Sequence, residues 1–253
     1  MSVFDALLVA VAGLLCGGIN AVAGGGSLVL FPALIATGMP TLAANVTNSV
    51  CTWPGYVGGI IGFRKEVGAH RQRLVQLAIV TLAGSTTGCV LLLVTPSSAF
   101  DLVVPGLVAF ACLLLAIQPW VRSKVGEPEA DPKRERYVLF PAIFAATVYG
   151  GYFGGALGVI ILGVLALTVA GNLRDLNVLK ACLSLVDCTV SVVVFGLFGP
   201  VHWLAVAVAA PSTLLGGYLG ARVARKLNEK VLRYTVITFG LGVAAYLAVR
   251  AIR

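Results

Sequence analysis

GGINAVAGGGS, residues 17–27, sits inside an uncharged run that extends from Ala6 to Gly38. One straight helix over residues 6–38 would overshoot the ~30 Å hydrocarbon core of a bilayer by roughly 20 Å at ~1.5 Å per residue. Gly24, Gly25 and Gly26 supply the point at which such a helix can bend, since glycine tolerates the backbone angles a turn requires. Residues 6–38 are therefore read as a helical hairpin, re-entrant or twice-crossing. A second long run, 137–173, carries Gly150-Gly151 and Gly154-Gly155 near its middle and receives the same reading. The remaining apolar runs, 42–63, 74–95, 102–121, 176–198, 201–221 and 234–249, each suit one crossing.

Composition agrees with an all-α polytopic membrane protein. The 253-residue chain is 59% hydrophobic and 11% charged, with a mean hydropathy of +0.99, whereas soluble domains are about 25% charged. The formal charge of +8 does not point to nucleic acid, because the basic residues are scattered in short loops between apolar runs. All six cysteines lie within apolar runs, as small buried hydrophobes do, and no disulfide framework is expected. The opening MSVFDALLVAVAGLLCGG has Asp5 where a signal peptide carries Lys or Arg, so it is taken as part of the fold.

The two halves superimpose without a gap at an offset of 133 residues: Gly17-Gly18 falls on Gly150-Gly151, Gly38 on Gly171 and Gly84 on Gly217. Long runs, short runs and loops coincide, which reads as an internal duplication. The first repeat is 1–121, the linker 122–136 and the second repeat 137–253. Loops 64–73, 122–136 and 222–233 hold 14 of the 18 basic residues, while loops 37–41, 96–101 and 199–203 hold none. Equivalent loops carry opposite charge signatures, so the repeats should be inverted, with the basic loops cytoplasmic. Only a hairpin in each half gives the odd number of crossings that inversion needs.

Polar residues inside these runs are the candidate site. A bend at Gly24–Gly26 opens backbone N–H groups at the start of the next half-helix, where the dipole favours an anion, and Ser27 can cap that helix or donate to a ligand. Asn45, Thr47, Asn48 and Ser49 open the run 42–63, and their offset partners are Val178, Lys180, Ala181 and Cys182. Inversion would bring the polar cluster and the lysine together near a pseudo-twofold axis. Lys180, Ser184, Asp187 and Ser191 follow at spacings that share one helical face. Charges at such depth are costly and mark function by default. Lys180 is read as holding an anion and Asp187 as carrying a coupling proton. The competing structural readings are helix packing for the glycines, interhelical hydrogen bonds for Asn and Thr, and a Lys180–Asp187 ion pair. Trp53 and Tyr56, mid-run, are read as core packing, with flanking the substrate as the alternative; Trp120, Tyr137 and Trp203, at run ends, are read as interface anchors.

The chain resembles the TauE/SafE sulfite exporters, also called toluene sulfonate uptake permeases. Residues 17–27, Phe31-Pro32, Ala43-Ala44-Asn45-Val46-Thr47-Asn48-Ser49 and Asn177-Val178-Leu179-Lys180 carry the likeness, which covers nearly the whole chain. The resemblance implies transport of sulfite, sulfonates or similar anions, and adds Asn20 to the substrate-binding candidates. In the second half the triple glycine is replaced by Gly154-Gly155-Ala156-Leu157-Gly158.

The expected function is a proton-coupled, alternating-access carrier of a small anion, without a cofactor or metal, in a bacterial-type inner membrane. Its partners are that anion, the bilayer and protons; a homodimer is compatible with the sequence. His70 and His202 are too far apart in sequence to suggest a metal pair, and no HExxH or Ser/His constellation supports an intramembrane enzyme. A passive anion channel is the nearer alternative, although it gains nothing from a buried carboxyl such as Asp187. The loop charges place both termini outside. Cysteines introduced at Ser98 and Ser123 should therefore react with impermeant maleimide from opposite faces; labelling of both from one face would exclude inverted repeats.

Overall fold

The computed structural model describes residues 1–22, 24–61, 71–124, 135–169, 173–223 and 229–252. Among them the chain is helical and without strands: α1 (Val3–Val22), α2 (Ser27–Ala36), α3 (Thr41–Ile61), α4 (Arg71–Val94), α5 (Ser97–Lys124), α6 (Phe140–Tyr152, entered by a π-helical turn at Glu135–Leu139), α7 (Leu157–Thr168), α8 (Leu173–Phe198), α9 (Trp203–Val223) and α10 (Glu229–Ile252). Five of these, α1, α4, α5, α8 and α9, are long and apolar enough to cross a membrane. Helix α3 has the length, at 21 residues, but turns a row of Asn, Thr and Ser into the protein. Most of the three basic loops (64–70, 125–134 and 224–228), together with Ala23 and Gly171, lie outside the described residues.

Both long runs are broken at their glycines. The first break has Gly24 at φ 79° and Gly25 at φ 91°, and the second has Gly154 at φ 74° and Ala156 at φ 59°. Ala156 is the one non-glycine residue in that region among those described, at a cost of roughly 1 kcal/mol. After the first break the chain doubles back so closely that a Cβ on Gly26 would lie 2.9 Å from the Cα of Cys16. On a straight helix those two residues would stand about 15 Å apart. Helix α2 has only ten residues, but with the break it carries the chain back along α1 to Thr37–Pro40. There a pocket of about 250 Å³ is lined by Met1, Thr37, Gly38, Met39, Pro40 and His202, so the start of α1, the α2–α3 turn and the α8–α9 turn share one end.

Small residues set the packing of the long helices. A Cβ on Gly17 would collide with the carbonyl of Thr213 and stand 2.7 Å from the nitrogen of Gly217, while one on Gly220 would stand 2.7 Å from the Cα of Gly18. Backbones approach this closely where hydrocarbon offers no drive beyond close contact and hydrogen bonding. Gly13 and Gly17 of α1 lie against Ala209, Thr213 and Gly217 of α9, and Gly216 and Gly220 of α9 lie against Leu14 and Gly18 of α1.

The same contacts fix helix direction. Along α1 and α9, Gly13 meets Ala209, Gly17 meets Thr213 and Gly18 meets Gly216, so the two run parallel. Helix α3 joins them, with Thr47 at His202, Cys51 at Thr213 and Gly58 at Tyr218. Helices α4 and α6 run parallel through Gly84–Thr147 and Gly88–Tyr152, and α8 follows α4 through Ser85–Asp187 and Cys89–Ser191. Between the two sets, α3 and α8 are antiparallel: Val46 lies at Gly199, just past the end of α8, Thr52 at Cys188 and Tyr56 at Ser184. The α1/α9 contact makes Gly17→Ala an overpacking change, expected to cost about 1–3 kcal/mol. Gly59→Ala, with nothing within 4 Å of its new methyl group, should be neutral or stabilising by up to about 1 kcal/mol. Thermal unfolding of both variants in detergent measures the contrast.

Candidate functional site

The two helix breaks meet. A methyl group on Gly24 would lie 3.4 Å from the Val159 side chain, and one on Gly158 would lie 3.8 Å from Gly24 and 3.6 Å from Cδ of Lys180. Lys180 is 4% exposed, so its aliphatic stem is laid along the start of α7 where α2 and α7 both begin. Aromatic packing holds the second break from behind, with Phe153 edge-on to Phe31 at 5.6 Å between ring centroids. Tyr149 also donates its hydroxyl proton to the Gly155 carbonyl at 2.8 Å.

The hydrogen bonds of the first break are largely internal. Gly24 N–H donates to the Ile19 carbonyl at 3.0 Å, and Gly26 N–H donates to Oδ1 of Asn20 at 2.7 Å. Asn20 thus ties the bend together, and two of the three glycine N–H groups are committed within it. Gly26 is the N-cap of α2 and Ser27 its first residue, with no side-chain cap. Ser27 lines a small central cavity instead, and Gly25 is backed by Leu115.

Along α8 the four residues expected to share a face are all buried: Lys180, Ser184, Asp187 and Ser191. Asp187, 5% exposed, accepts a hydrogen bond from the Ser85 hydroxyl at 2.5 Å. The Ser184 hydroxyl is buried next to the Tyr56 hydroxyl. Opposite, α3 presents its polar row. Asn45 donates to the Tyr152 carbonyl at 3.0 Å and so clamps the end of α6, while its Oδ1 has no partner. Thr47 accepts from the backbone of His202 at 3.0 Å and anchors the α8–α9 turn. Asn48, 2% exposed, has an Oδ1 without a partner and borders the cavity.

That cavity has a volume of about 20 Å³ and is bordered by Ser27, Asn48, Thr52, Tyr56, Asp187 and Ser191, among others. It has room for about one water-sized body. The expected residues thus fall into three groups. Ser27, Asn48 and Asp187 border one cavity; Gly24 and Lys180 stand where the breaks meet, with Ser184 one turn along α8 between Lys180 and Asp187 and Gly25 beside Gly24 against Leu115; and Asn20, Asn45 and Thr47 hold the backbone of Gly26, Tyr152 and His202. Tyr56 borders the cavity, and Trp53 is partly exposed and donates to Thr189 at 2.9 Å, so neither is plain core. The sequence reading missed Ser85, which sits in the otherwise unremarked stretch Ala83-Gly84-Ser85-Thr86-Thr87 of α4. No local signal distinguishes it from Thr86 or Thr87, whose hydroxyls bond their own helix.

Helix breaks, a buried lysine and a buried carboxyl gathered in a multi-pass bundle define a membrane transporter. The profile of the family described as sulfite exporter TauE/SafE matches residues 9–247, and the chain belongs to that family. It is 29% identical over 229 residues to the probable membrane transporter protein YfcA of Escherichia coli K12, covering 88% of this chain and 82% of that protein. It is 27% identical over 222 residues to a probable membrane transporter protein of Haemophilus influenzae, covering 87% and 85%. A probable membrane transporter protein, ORF9, of a Sinorhizobium species is 23% identical over 238 residues, covering 92% and 88%. No solved structure matches the chain significantly.

Ser85 allows a direct check of the site. Ser85→Ala leaves the buried Asp187 carboxyl without that bond and should cost about 1–3 kcal/mol. Thr86→Ala, at an exposed position, should leave thermal unfolding unchanged.

Proposed function

We propose that this membrane transporter carries a sulfur-containing or other organic anion, sulfite or a sulfonate being the type, coupled to protons by alternating access in the bacterial inner membrane. The observation that carries the reading is Lys180, buried where both helix breaks meet. A cation beside two half-helix starts is a favourable place for an anion, because the helix dipoles and the ammonium act together in a medium that screens them weakly. Asn20, Gly24, Gly25, Gly26, Ser27, Asn45, Thr47, Asn48, Lys180 and Ser184 form the proposed binding region. Of these, Asn20, Asn45 and Thr47 act by holding backbone, at Gly26, Tyr152 and His202.

Asp187 is the proposed coupling group. It lies two helical turns from Lys180, about 10 Å along the axis, with its hydrogen bond coming from Ser85. Anion and proton would then occupy adjoining points of one buried face. The opposed directions of α1, α3 and α9 against α4, α6 and α8 support two inverted repeats, 1–121 and 137–253, since each helix of the first set is matched at the 133-residue offset by one of the second. The small size of the central cavity supports a closed conformation that must open to exchange substrate. A homodimer remains part of the proposal.

Flux in proteoliposomes over sulfite, sulfate, thiosulfate and small sulfonates, with and without a pH gradient, tests this. Lys180→Ala should raise the KM for the transported anion about tenfold or more, the loss of one charge-assisted bond. Asp187→Asn should retain exchange while losing proton-driven accumulation. Unchanged transport in the Lys180 variant, or accumulation retained in the Asp187 variant, would overturn the respective assignment.

A further inference from the structure

We infer that the central cavity is a binding site for a desolvated monovalent cation of Na⁺ size, held by Asp187, Asn48 and the hydroxyl oxygens of Ser27, Thr52 and Ser191. The inference deepens the proposed function, rests on its reading of Asp187 as the coupling group, and moves Ser27 and Asn48 from the anion's shell to the cation's.

Three observations converge on it. The space is right for one water-sized body, about 20 Å³, and too small for an oxyanion of sulfur with its several oxygens. The lining is oxygen-rich, which suits a hard cation, and its one carboxylate suits a single positive charge. Asp187 is the only acidic residue among the described residues bordering the cavity, and no Lys, Arg or His is among them.

The third observation is the direction of the hydrogen bonds. Thr52 donates its hydroxyl proton to the Ser49 carbonyl at 3.0 Å, and Ser49 donates to the Asn45 carbonyl at 3.1 Å. Cys188 also donates to the Ser49 carbonyl, at 3.2 Å. With its proton committed to a backbone carbonyl, the Thr52 hydroxyl keeps lone-pair capacity for a ligand. Asn48 adds a carbonyl oxygen that has no donor, on a residue 2% exposed. A shell with acceptors in excess receives a cation; an anion would need the reverse. Gly150, near the end of α6, and Gly154, in the second break, border the same cavity, and interrupted helices are where backbone oxygens coordinate coupling ions.

A proton and Na⁺ would compete for the one carboxylate. The titratable groups set around Asp187 are Tyr56 from α3, Cys89 from α4 and Cys188 beside it on α8. Gly150 of α6 and Leu157 of α7, which pack against the same region, bring none.

Thermal unfolding of the purified protein in detergent, titrated with NaCl against choline chloride at constant total salt, tests the site with Na⁺ alone. A saturable rise in Tm with Na⁺ and none with choline is expected, and its midpoint should move to higher Na⁺ as pH is lowered from 8.5 to 6.5. Thr52→Val, which keeps shape and removes one ligand oxygen, should raise that midpoint about tenfold, and Asn48→Ala should do the same. Identical curves in Na⁺ and choline at both pH values overturn the inference, as does a Na⁺ response that Thr52→Val and Asn48→Ala leave unmoved. The proteoliposome assay separates the two proposals. Anion accumulation driven by a pH gradient and indifferent to Na⁺ overturns the cation site and leaves the proposed function standing. A saturable Na⁺ response in a protein that moves no anion of the panel supports the site and rejects that function.

Discussion

A helix interrupted inside hydrocarbon leaves N–H and C=O groups that no water can reach, each costing several kcal/mol unless the protein supplies a partner. In the first break Asn20 and the Ile19 carbonyl take the N–H groups of Gly26 and Gly24. In the second, the Tyr149 carbonyl takes those of Phe153 and Gly154, and the Tyr149 hydroxyl reaches the Gly155 carbonyl. The breaks then lean on each other at Gly24 and Gly158. Because each bend depends on its own helix and on the opposite hairpin, the half-helices are held at fixed positions in the middle of the protein. The site is built on that arrangement.

Close helix approach follows from the same constraint. Helix α9 touches α1 and α3 through glycine and threonine backbone, and α4 touches α6 the same way. These contacts bring polar residues of separate helices within hydrogen-bonding distance: Thr213 donates to the Cys51 carbonyl, Ser85 to Asp187 and Asn45 to the Tyr152 carbonyl. A larger residue at Gly17 or Gly151 would push apart the scaffold that positions them. The glycines of this chain thus serve two separate ends, a bend at Gly24, Gly25 and Gly154, and a close approach along the long helices.

Function and packing also divide within what looks like one polar cluster. Thr47 and Asn48 are neighbours on α3, yet Thr47 holds the α8–α9 turn while Asn48 borders the cavity with an unpartnered oxygen. Neighbours on a helix point about 100° apart, so one residue can hold the scaffold while the next faces the cavity.

Much of this was legible in the sequence. A 33-residue uncharged run cannot cross a bilayer as one straight helix, which forced a bend, and three consecutive glycines gave its place. Helical spacing alone put Lys180, Ser184, Asp187 and Ser191 on one buried face. Side-chain periodicity is a local property, fixed by 3.6 residues per turn whatever the fold. Partnership between helices is not local. That Ser85 serves Asp187 from 102 residues away and that Tyr56 borders the cavity were decided only when helices came into contact, because a hydrogen bond depends on distances of a few tenths of an ångström that no spacing in the chain encodes.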